Sequence, residues 1–295
     1  MEEELLYYFD ETGDKGFVEK SFSISDYGIV AGILIPECAK ELLEKTIGDA
    51  LVQNNIGVPY KKLHCSEVFK NDDNPNLRKD IYSILSEFRD YQIVYEGQYS
   101  VGVKKFDESM VKNMGHYKKS VPDNIRINVP KEKTRLYISL LRGIIFMLEE
   151  SVNAIGEEEV YMISDRIDQG VAEEACELLD KLRSDTEEIV SSSFDIQTRT
   201  KTERTFKIIS KGDLFVVRKV KSIEYSQEVT PILFAADFIC FELLRHFRKK
   251  MKKIQKPIKF HSAQFLEGFE LKDKVAFLGD NFFSDMVFDP TFQDL

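Results

Sequence analysis

The chain has 295 residues, 43% hydrophobic and 31% charged, with a formal charge of -10 from 51 acids against 41 Lys and Arg. That composition provides for a full core and excludes a disordered or fibrous chain, and the expected organisation is one large α/β domain with insertions. The acidic balance argues against a protein that coats nucleic acid indiscriminately, which needs clustered cations.

Met1 to Glu4 is acidic and leads directly into a strand, without the basic and apolar regions of a secretion signal. Leu5 to Phe9 is an apolar, aromatic run expected to be a buried strand that stops at Asp10-Glu11-Thr12-Gly13-Asp14, a stretch of turn composition. Tyr27 to Ile35 predicts a second strand, ended by Pro36, and Ala39 to about Gln53 a helix. Leu77 to Arg89 has helical spacing, and Gln92 to Val103 reads as a strand. The polar stretch 104–131, with Pro122 and Pro130, reads as an insertion or lid, or equally as a plain surface loop. Thr134 to Val152 predicts a helix, Val160 to Ser164 a strand ending at Asp165, and Val171 to Leu182 another helix. Phe206 to Val220 is strand-like with turn chemistry at Gly212-Asp213, and Pro231 opens a helix through Phe247. Asp237, Glu242 and Arg245 in that helix argue against a membrane span. Cys38, Cys65, Cys176 and Cys240 lack a C-x-x-C spacing, so they announce neither a disulfide framework nor a zinc site and fit a reducing cytoplasm. Residues 1–260 are thus expected to form the domain. Residues 261–295, with Phe265, Phe269, Phe277, Phe282, Phe283, Phe288 and Phe292, are a tail docking on it or on a partner.

Three acids stand where bare carboxylates are costly. Asp237 has Leu233, Phe234, Cys240 and Phe241 three and four positions away, so it interrupts an apolar stripe and needs a cation, hydrogen-bond donors or a raised pKa. An interaction with backbone N-H groups early in its helix answers that need as well as a metal does. Asp10 and Asp165 each end an apolar strand, where ligands collect in open α/β sheets, although a turn or cap role is commoner for either taken singly. The three together favour a hard cation, magnesium or manganese, over zinc. Glu11 points to the opposite face of a regular strand and joins Asp10 only if the strand is already turning. In Leu63-His64-Cys65-Ser66-Glu67, Glu67 offers a further carboxylate, whereas His64 is read as a structural, hydrogen-bonded residue and not a ligand. A basic block, Arg245, Arg248, Lys249, Lys250, Lys252, Lys253, Lys256 and Lys259, is by itself best explained as a solvated helix end. No Gly-rich phosphate loop, G-x-S-x-G elbow or H-E-x-x-H helix is present.

Tyr8-Phe9-Asp10-Glu11-Thr12-Gly13 resembles the D-E-S-G opening of the domain-of-unknown-function 3800 family, with Thr12 in the place of Ser. Leu63 to Glu67 resembles its His and Glu segment, Ile163-Ser164-Asp165 its strand ending in Asp, and Ala236-Asp237 the pair on its late helix. The resemblance runs from residue 5 to about residue 250. It implies a ribonuclease H-like mixed central sheet flanked by helices, with insertions, and a metal site of Asp10, Asp165 and Asp237. It extends less firmly to Glu11 and Glu67. The implied activity is two-metal hydrolysis of RNA or DNA, with Mg2+ or Mn2+ ions about 3.5 to 4 Å apart. Asp10 would bridge them, Asp165 and Asp237 complete their coordination, and Glu11 or Glu67 hold a further ligand. It also implies a setting in phage defence or a mobile element, with nucleic acid as partner and room for a protein partner from the same locus or a second copy. The competing expectation is a noncatalytic module in a defence complex, and a third is a phosphohydrolase of free nucleotides.

Overall fold

A computed structural model describes residues 4–13, 26–57, 63–119, 125–128, 134–153, 158–184, 186–209 and 216–276. The main sheet has five strands in the order β3-β2-β1-β5-β8, comprising β1 (Glu4–Gly13), β2 (Tyr27–Pro36), β3 (Gln92–Tyr99), β5 (Glu159–Ser164) and β8 (Val220–Tyr225). The first three form an antiparallel meander, and β5 and β8 then run parallel to β1. The chain is therefore α/β, with a mixed sheet covered by helices on both faces.

Alternation along β1 divides the core. Leu6 and Tyr8 face a cluster shared with α1 (Glu37–Gln53), α3 (Pro75–Glu87) and α7 (Pro231–Ile254). Leu5, Tyr7 and Phe9 face one shared with α5 (Leu136–Asn153) and α6 (Gln169–Arg183). A strand covered on both faces reads as a continuous apolar run, as Tyr27 to Ile35 does, buried throughout. Gly32 lies opposite Phe9, where a Cβ would stand 2.1 Å from the Tyr8 carbonyl oxygen, so glycine lets the two central strands close up. The Thr230 hydroxyl accepts the Leu233 N-H and Pro231 occupies the first turn, which fixes where α7 begins and hence where Asp237 falls.

Several boundaries differ from expectation. The strand expected over Gln92 to Val103 stops at Tyr99, and helix α4 (Ser100–Lys119) carries the chain into the stretch read as a lid or loop. Within that stretch, β4 (Ile125–Asn128) joins β6 (Thr186–Asp195) and β7 (Thr200–Ile209) in a second, three-stranded sheet. The strand expected over Phe206 to Val220 divides between β7 and β8, and the turn expected at Gly212-Asp213 lies outside the described residues. Beyond residue 260, Leu266, Phe269 and Leu271 join Phe260 in the α7-side core, and Val275 bridges to Ile93 on the edge of β3. The later phenylalanines, from Phe277, lie outside the described residues. Among the described residues, no helix is long and apolar enough to cross a membrane.

Candidate metal centre

At Asp10, β1 keeps its antiparallel partner and loses its parallel one. Asp10 pairs with Ala31 of β2, but β5 stops at Ser164, opposite Phe9. From Asp10 onward no described strand pairs with that edge of β1, and Asp165, the first residue past β5, comes level with it. One carboxylate oxygen each from Asp10, Glu11 and Asp165 lies within 4.8 Å of the other two, so this triad can hold a divalent cation. The strand does not turn here, as the expectation for Glu11 required. It runs on to Gly13, whose φ of +85° and tight fit against Tyr27 admit only glycine. Glu11 joins Asp10 because the neighbouring strand ends, which frees side chains of either face to reach the same edge. The helix-capping role after β5 belongs to Asp168, whose carboxylate accepts the Gly170 N-H at 3.0 Å, so Asp165 is not needed for it.

Asp237 approaches from the α7 side. Its Oδ2 accepts the Cys65 N-H at 2.8 Å and lies 3.8 Å from His64 Nδ1. The expected backbone donor is thus real but comes from the segment that opens α2 (Cys65–Val68) rather than from α7 itself. Two buried thiols hold the pieces in place. The Cys240 Sγ-H, one turn beyond Asp237, donates to the Asp10 carbonyl at 2.9 Å and approaches the Ala31 carbonyl, and Cys65 Sγ-H points to the Phe234 carbonyl. Burial pushes both thiols up, with the Asp10 and Asp237 charges adding to it, so they act as packing groups and weak donors.

Asp10 is only 8% exposed, and its carboxyl is held well above the ordinary range. Burial is the largest cause, followed by the charges of Glu11, Asp237 and Asp165, and a hydrogen bond from the Glu11 N-H at 2.8 Å opposes them. A cation among these acids reverses that penalty, so the donor set fits a divalent metal. His64 is pushed up, first by its approach to the Asp237 carboxylate and further by the charges of Asp165 and Glu67, with burial opposing. It is half-exposed, so the residue read as purely structural stands on the rim of the acidic centre. Glu67 is exposed on α2 and lies outside the close triad, as does Asp237.

On the opposite face, Tyr137 of α5 and Tyr225 of β8 share a hydrogen bond of 3.1 Å. Burial raises both, and the Glu11 charge acts on each. Sequence reading missed this pair because nothing in either residue's neighbours announces a partner 88 positions away. No protein-family model matches the chain, and neither does any curated protein or solved structure.

Proposed function

We propose that the protein is a divalent-metal-dependent nuclease of ribonuclease H-like fold, related to the domain-of-unknown-function 3800 family, that hydrolyses phosphodiester bonds. The observation that carries this reading is the close triad of Asp10, Glu11 and Asp165 at the carboxyl ends of two parallel strands, with Asp237 of a late helix near enough for its charge to act on Asp10. Those are the places that the family resemblance implies. The sheet, an antiparallel meander extended by two parallel strands, agrees with that fold.

Asp10, Glu11 and Asp165 would hold one magnesium or manganese ion, and Asp10 with Asp237 a second. Bound there, the metal supplies Lewis-acid activation of water and charge neutralisation at the phosphate. Oxygen-only donors select such hard cations over zinc. The chain's own contribution is placement. Cys65 N-H and Cys240 Sγ fix Asp237 and the Asp10 backbone against each other, and protonated His64 at the rim offers a donor to an entering phosphate oxygen.

The test is cleavage of end-labelled RNA and DNA in manganese by the wild type and by Asp10→Asn and Asp165→Asn, with folding followed by circular dichroism. Each substitution is expected to lower cleavage by about a hundredfold or more while the fold is kept. A folded wild type that binds manganese in calorimetry yet cleaves neither polymer, with mononucleotides also intact, overturns the nuclease reading in favour of a noncatalytic module.

A further inference from the structure

A cationic groove lies further along α7, on the side of the helix that carries Asp237. Counting turns from Asp237, the residues on its side of the helix are Phe241, then Leu244 and Arg245, then Arg248, then Lys252. Phe241, Leu244, Arg245, Arg248, Lys249 and Lys252 line a groove of about 430 Å³. The four cations are exposed, while Leu244 is buried and Phe241 partly so, which gives the groove an apolar floor and a basic rim. One of the cations is anchored, Arg245 pairing with Asp72 at 3.0 Å, and the Arg248 charge is felt by the Tyr27 hydroxyl at the start of β2. At the helical rise, Arg245, Arg248 and Lys252 stand about 12, 16 and 22 Å along the axis from Asp237.

We propose that this groove carries the phosphate backbone of a single-stranded nucleic acid whose reacting phosphate lies at the acidic centre. The proposal rests on the phosphodiester reading of that centre and adds the substrate's path. A row of cations on one helix face, leading away from a metal-type carboxylate site on the same helix side, complements a ligand with repeated negative charges, and a free nucleotide has no use for its far end. The apolar floor favours a single strand, because unpaired bases rest on apolar and aromatic surface whereas a duplex presents mainly its phosphates. At about 3.4 Å per stacked nucleotide the row covers roughly six nucleotides on one side of the cut.

The experiment is fluorescence anisotropy of a labelled 12-nucleotide single strand, RNA and DNA in turn, with the full chain in EDTA, over a series of sodium chloride concentrations. Wild type is compared with Arg248→Gln/Lys249→Gln/Lys252→Gln and with Lys45→Gln/Lys112→Gln/Lys181→Gln, which removes equal charge from exposed sites on α1, α4 and α6. The groove variant is expected to bind about tenfold or more weakly, with a salt slope shallower by about 2, at roughly 0.7 for each phosphate no longer neutralised. The control is expected to match wild type. Lys249→Gln/Lys252→Gln keeps Arg248 and is expected to lower the slope by about 1.4, which covers the case in which the triple variant misfolds. Equal binding by the groove and control variants overturns the groove, and so does stronger binding of an acidic peptide than of either strand. Cleavage separates this outcome from the parent reading. Groove-dependent binding without cleavage in any metal leaves the groove standing and removes the nuclease; cleavage with an unchanged KM for the 12-mer in the groove variant does the reverse.

Discussion

Asp10 shows what a buried carboxylate costs a fold. Its raised pKa means that the folded protein holds a proton which the unfolded chain has released, so the metal-free protein loses stability as pH rises from the ordinary carboxyl range through the folded value. Metal affinity should climb over the same interval, because the cation displaces that proton. Thermal melts in EDTA from about pH 5 to about pH 8 should therefore fall with pH for wild type and be flatter for Asp10→Asn. The variant should melt a few degrees higher at the alkaline end, at about 2–4 °C per kcal/mol recovered. A variant less stable than wild type at every pH would show that Asp10 supports the fold and is not strained by it. Asp237 was legible in the sequence because an acid in an apolar stripe demands a partner. Its partner was not, since the Cys65 N-H is a backbone group 172 residues away that every sequence offers everywhere. His64 was undervalued for a similar reason: its significance is its distance to Asp237, and no local pattern encodes that.

At the scale of elements, α7 locates the centre, and its rear face is fastened by a polar network. Glu242 is only 4% exposed, and its carboxylate accepts hydrogen bonds from Arg78 and Tyr82 of α3. Removing the cation strands a buried charge, so Arg78→Met should cost about 3 kcal/mol in urea unfolding. The double variant Arg78→Met/Glu242→Leu should recover most of that loss. Additive losses would show that the two residues do not act as a pair. The strands and helices of the main sheet were legible because each buries a full face and carries the matching apolar period. The β6 strand was not. Its sequence, TEEIVSSSFD, is rich in Ser and Glu and carries little of the apolar alternation that announces a half-buried strand, and its pairing with β7 is made by backbone groups. Helix α4 went unread because its polar composition suggested a loop as readily as a helix with one packed side.

For the molecule as a whole, metal should act as a structural ligand as well as a reagent. Manganese at about a hundred times its dissociation constant should add ~2.7 kcal/mol to unfolding, a rise of several degrees in melting temperature, and Asp165→Asn should abolish it. An undiminished shift in that variant would place the metal elsewhere. The sheet order also bears on how the protein comes into being. Asp10, Asp165 and Asp237 lie far apart along the chain, and only pairing of β1 with β5 and seating of α7 bring them together. At ribosomal speeds, roughly ten seconds or more pass between synthesis of the first acid and the last. Throughout that interval the nascent chain lacks the third acid, and a fragment broken off before α7 lacks it altogether, so the four acids can meet only after α7 has been made and seated.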